Sequence, residues 1–234
     1  MKRLRLVWAL VVAGATLAVV APAGGANECD GFMVCVPIAG PWVVAPVSSS
    51  SQRERVEWQM TCPRAHVAGG LDARLSVRGI DVGFLGTLGT PVNPGISTSR
   101  SVVFVGTYVG RVDRAATFRP FVGCIPATGG GTRVPTAASA FPPGRPVTRR
   151  VKLVRVRPGS TTIVQRCTSG ERLVGGSHAF GFATRTPPSA SLVAGVSGTE
   201  SVGGSSVTVR VSADAELATV RAFVQVHALC TRSA

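Results

Sequence analysis

The densest chemistry in this chain is cationic: Arg145, Arg149, Arg150, Lys152, Arg155 and Arg157 fall within one short segment that holds no carboxylate. Planar guanidinium groups match phosphate and carboxylate oxygens in pairs, which makes the segment a candidate site for an acidic polymer. Val151, Leu153, Val154 and Val156 all point inward only if the strand carries a bulge between Leu153 and Val154. That bulge sets Arg150, Lys152, Arg155 and Arg157 on one solvent face as the polyanion-binding residues. The competing use of the same side chains is to cover a sheet edge with charge. No aromatic residue interleaves with the run, so nucleic acid is not an expected partner.

Catalysis has less to work with. His66, His178 and His227 are the only imidazoles, and serine-type chemistry needs one beside a nucleophile and a carboxylate. Ser177-His178 is suggestive, yet no G-x-S-x-G turn is present and neighbouring strand residues face opposite ways. His227 falls on the outward parity of its strand and His66 in a loop, so all three read as surface or turn residues. The paired acids Glu54 with Glu57, and Asp214 with Glu216, read as partners of nearby arginines. Thr128-Gly129-Gly130-Gly131-Thr132 lacks the Lys-Ser/Thr of a phosphate loop. No cofactor and no metal site are expected.

The cysteines speak for staples. Cys29, Cys35, Cys62, Cys124, Cys167 and Cys230 form an even set with no CxxC pair, the arithmetic of disulfides rather than zinc. Cys62 to Cys124 and Cys167 to Cys230 span nearly equal lengths, which leaves Cys29 for Cys35. In the chain-entropy view, each long loop closure contributes roughly 4 kcal/mol and the short one nearer 2 kcal/mol.

The equal spans belong to a wider echo: Ala116-Thr117-Phe118-Arg119-Pro120-Phe121-Val122 returns as Ala218-Thr219-Val220-Arg221-Ala222-Phe223-Val224. Residues 105 to 122 match residues 207 to 224 at seven of 18 positions without a gap. Arg119 with Phe121, and Arg221 with Phe223, recur on the outward parity as a candidate contact patch, between the two units or toward a partner. Cys62-Pro63 followed by Gly69-Gly70, and Cys167 followed by Gly175-Gly176, complete the pattern. It resembles a β-rich module of uncharacterised secreted bacterial proteins, with the second copy departing in its missing proline. The resemblance implies a β fold and an exported location and carries no catalytic residues.

Around these residues the elements are strands. Val56, Trp58, Met60 and Cys62 alternate with Arg55, Glu57, Gln59 and Thr61, the period that sends one set inward and the other to water. Val220 to Cys230 alternates likewise, and Phe118, Pro120, Val122 and Cys124 take the inward parity in the first copy. Pro120 has no N–H, so its strand is expected at an edge or bulged. Gln165 breaks the apolar pattern, which points to a bulge or a shifted register. Further strands are expected at Leu71–Val77, Val102–Val109 and Val207–Val211.

Lys2, Arg3 and Arg5 before the apolar run Leu6 to Val20 read as a signal peptide over residues 1–26, with the rival reading an uncleaved anchor. Its removal lowers the net charge from +14 to +11, a balance that favours anionic partners outside the cell or simply solubility. The expectation is therefore all-β: two tandem antiparallel β-sandwich domains, residues 27–125 and 148–234, each with one internal disulfide, joined by a Gly/Pro linker over 126–147. The expected role is a secreted or cell-surface structural or binding protein without catalysis, whose partner is an acidic extracellular or cell-envelope polymer. A secreted hydrolase with an unrecognised active site is the alternative; a buried, perturbed His178 near a carboxylate in a cleft would favour it, and an exposed histidine without a pocket would count against it.

Overall fold

The computed structural model describes residues 28–47, 54–86, 100–110, 115–127 and 147–232. The expected leader lies outside these residues, as does the linker apart from its ends. The described residues form thirteen strands: β1 (Val36–Ala39), β2 (Trp42–Val44), β3 (Val56–Thr61), β4 (His66–Leu75), β5 (Ile80–Gly86), β6 (Ser101–Tyr108) and β7 (Thr117–Pro126), then β8 (Val147–Val156), β9 (Gly159–Arg166), β10 (Glu171–Phe182), β11 (Val196–Gly203), β12 (Ser206–Ala213) and β13 (Ala222–Arg232). One short helix, α1 (Ala190–Ala194), is capped by the Ser189 side chain, and Ala215–Thr219 makes a 3₁₀ turn. Among the described residues no helix is long and apolar enough to cross a membrane.

The strands form antiparallel sheets. The longest runs β1-β7-β2-β10-β13-β8, with β4 also on β7; two three-stranded sheets, β3-β6-β5 and β11-β12-β9, complete the fold. The two halves use the same pairings. β4 with β7 and β10 with β13 each carry a register shift, at Ala68/Gly70 and at Leu173/Gly175.

Each small sheet packs its apolar parity against the long one. Val56, Trp58 and Met60 join Phe104, Phe118 and Val122 in the first core, while Ile163, Val207 and Val209 meet Val224 and Val226 in the second. Burying one such side chain is worth roughly 1.5–3 kcal/mol. Three disulfides are present, Cys29–Cys35, Cys62–Cys124 and Cys167–Cys230, so the first half carries two rather than one.

β2 ties the halves together. Val43 pairs with both Phe118 of β7 and Gly181 of β10, and its side chain enters the first core while that of Trp42 enters the second. The long sheet therefore continues from one half into the other.

Several local expectations are corrected. β7 is an interior strand with no bulge at Pro120, which pairs with Ala73. Gly40 N–H donates to the Pro120 carbonyl at 2.8 Å, so the nitrogen without a proton faces the break between β1 and β2, where no ladder bond is lost. A Cβ on Gly40 would meet the Pro120 ring at 2.6 Å. Gln165 sits in an unbroken register opposite Val207, keeping its inward parity at a half-buried rim position.

Candidate functional site

The basic strand is built differently from the expectation. β8 pairs with β13 in continuous register from Val147 to Val156, so there is no bulge between Leu153 and Val154, and strict alternation divides the cations between two faces. Arg150 and Lys152 share the parity of Val154 and Val156, toward the second core. Arg155 joins Arg149, Val151 and Leu153 on the opposite face, and Arg157 lies in the turn beyond the strand. The single ribbon of charge does not form, because the register is set by ten consecutive ladder positions rather than by the apolar count of one strand.

Two of the four cations have structural partners. Arg150 grips both oxygens of Glu171, at 2.8 and 2.7 Å, and reaches the Thr168 hydroxyl at 2.8 Å. Glu171 also accepts from the Thr168 N–H at 2.9 Å. These bonds, Arg150 first, hold the Glu171 carboxyl down at about 2. Lys152 Nζ donates to the Val164 carbonyl across the rim at 3.3 Å. Cys167 and Cys230 lie beside Glu171, but their sulfurs are joined to each other and present no thiolate to a metal. Arg155 and Arg157 are exposed and make no ion pair among the described residues.

The outward face of β13 meets β3 of the first half instead of water. His227 is fully buried, a correction to its reading as a surface residue. Gln225 accepts from the Gln59 N–H at 2.6 Å and returns a bond to the Gln59 carbonyl at 3.1 Å. His227 Nε2–H donates to Gln225 Oε1 at 2.7 Å, and its Nδ1 accepts from Arg149 at 2.7 Å; Arg149 also pairs with Glu57. A guanidinium only donates, so Nδ1 must hold a lone pair and the ring is neutral. Burial first, and then the Arg149 charge, push the His227 pKa down to about 3.

Along this seam runs a groove. Two adjoining clefts, of about 350 and 450 Å³, share Ala39, Gly40, Pro41, Trp58 and Leu153. Among the described residues their walls hold no carboxylate. Phe223 lines the groove together with Arg119 and Arg185. Arg155 is the cross-strand partner of Phe223 on β8, and the Arg221 guanidinium lies 5.8 Å from the Phe223 ring centre. Arg119 is anchored by donating to the Gly40 carbonyl at 2.9 Å and stacks on Phe121 at 5.5 Å. Two arginines thus line one aromatic-floored groove, and two more, Arg155 and Arg221, neighbour its Phe223. The recurrent Arg-x-Phe pair was legible in the sequence; Arg185 was not, since the chain brings it from beyond β10.

His178 takes a different position. Its Nδ1–H donates to Glu200 at 2.9 Å, and the pair lines a cleft of about 780 Å³ that Glu54 and Arg55 also border. Its Nε2 lies over Gly198, where a Cβ would meet it at 2.6 Å, and the ring packs edge-on to Phe180. Among the described residues no hydroxyl or thiol bonds to that nitrogen, and Ser177 points to the other face, opposite His227. The dyad bridges β10 and β11 at the rim of the second core. His66 Nδ1 bonds the nearby Arg64 carbonyl at 3.1 Å. Comparison with protein-family models, curated proteins and solved structures finds no match for this chain.

Proposed function

We propose that the chain is an exported, duplicated β-sandwich protein that acts by binding rather than catalysis, and that it holds an acidic polymer of the cell envelope or its surroundings in the seam groove. The domains are residues 27–125 and 148–234, joined by the 126–147 linker and preceded by a signal peptide. Three disulfides support an oxidising compartment, and the shared pairings of the two halves support duplication. The observation that carries the binding reading is that Arg119 and Arg185 line the groove with Phe223, Arg221 lies by that ring and Arg155 is its cross-strand partner, with no carboxylate among the described residues of the groove walls. Forked donors over an apolar floor suit a chain of carboxylates or sulfates on a ring-bearing backbone.

Retention on heparin and on a carboxylate resin, followed against salt, tests this reading. Replacing Arg155 and Arg185 together by Gln is expected to lower the eluting salt markedly, whereas Lys152→Gln leaves it near wild type. Equal elution of both variants would remove the groove as the site and leave net charge alone as the cause.

The His178–Glu200 pair in its cleft favours the hydrolase alternative. Against it, no hydroxyl or thiol bonds to the His178 Nε2 among the described residues.

A further inference from the structure

We propose that the Cys29–Cys35 loop is a docking tip that seats Met33 and its apolar neighbours among the headgroups of an anionic lipid bilayer. Single exposed apolar residues are ordinary on any protein, but a contiguous exposed group marks a contact surface. Here Met33 is 103% exposed, Val34 61% and Val36 41%, and Phe32 is only half-buried.

The loop is held in this pose. Phe32 N–H closes a turn onto the Cys29 carbonyl at 3.2 Å, with Gly31 at φ +82°, and the disulfide ties its ends. The Glu28 backbone is seated on Gly70 and Gly123, where any side chain would collide with it. Apolar side chains kept outward by a crosslink lose little conformational freedom on insertion.

Charge at the same end of the molecule fits an anionic surface. Val36 pairs with Cys124, the residue bridged to Cys62, and Arg64 and Arg100 flank Cys62, Arg100 donating to its carbonyl at 3.0 Å. Both are exposed. Asp30 is the one exposed acid of the loop, while Glu28 is buried. Basic side chains around an apolar point make the pairing of forces that holds peripheral proteins at anionic headgroups.

Co-sedimentation of the mature protein with phosphatidylcholine vesicles, with and without phosphatidylglycerol, tests the tip. Binding is expected only with phosphatidylglycerol, and Met33→Ser with Val34→Ser should weaken it about tenfold. Both side chains are exposed, so the fold is retained, as near-unchanged thermal melting should show. Arg155→Gln with Arg185→Gln should leave vesicle binding intact and so separates this tip from the groove. Absence of wild-type binding to either vesicle, or equal binding by the serine variant, would overturn the proposal. So would Met33-dependent self-association without vesicle binding, which assigns the tip to a second copy of the chain.

Discussion

Arg150 shows how a side chain chosen for a ligand is claimed by the fold. It sits opposite Ala228 on the inward parity, at the rim where the β9–β10 turn comes within reach, and Glu171 is the nearest complement. The pair has a pH signature. The folded carboxyl titrates at about 2, below its ordinary value of 4.5. Between those values the unfolded chain takes up a proton that the folded chain refuses, so acid favours unfolding. The contribution is therefore complete above pH 4.5 and lost as pH falls toward 2. Thermal midpoints of the wild type should decline across that window more steeply than those of Glu171→Gln. Identical slopes would show that the pair has no differential effect on the two states.

At the scale of elements, the decisive piece is the segment from Glu28 through β2. It pairs with β7 on both sides of Gly40-Pro41, gains β10 as a second partner after that point, and hands Val43 and Trp42 to separate cores. Gly70 and Gly123 admit it by lacking side chains. In the second half Gly176 answers a different need, since a Cβ there would strike Val207 at 2.4 Å. Gly123→Ala is expected to cost about 1–3 kcal/mol, because the clash is with backbone that cannot turn aside. Gly83→Ala, with nothing within 4 Å of the new methyl, should be near neutral. Urea denaturation of the two variants measures the contrast, and equal midpoints would mean that the Glu28 segment yields without cost.

The whole molecule is joined through polar groups withdrawn from water. Glu57, Arg149, His227, Gln225 and Gln59 form one chain of bonds between the halves, in which the buried Arg149 Nε alone has no partner among the described residues. His227 makes the seam sensitive to acid. Its folded pKa of about 3 lies below the ordinary 6.5, so below pH 6.5 the unfolded chain gains a proton that the folded ring excludes. Stability is then lost progressively from pH 6.5 down to about 3. His227→Gln should flatten the upper part of this profile, between pH 6.5 and 4.5, where Glu171 does not yet contribute, at a cost of about 1–3 kcal/mol near neutrality. Chemical denaturation across that range checks it; an unchanged slope would mean that His227 does not exclude the proton.

The alternation of apolar residues was enough to identify β3 by Val56, Trp58 and Met60, and β13 by Val224, Val226 and Cys230, because a period of two is a property of the backbone itself. The Gly-, Ser- and Thr-rich β9 and β11 carry that signal poorly and escaped it. What alternation does not contain is the neighbour on the second face: Glu57, Gln59, Gln225 and His227 read as solvent residues until the halves meet. The strand register across β8 and β13, and the meeting of Arg119, Arg185 and Phe223 in one groove, likewise depend on contacts between segments far apart in the chain. Those are decided by packing and ladder pairing in three dimensions, to which a local period is blind.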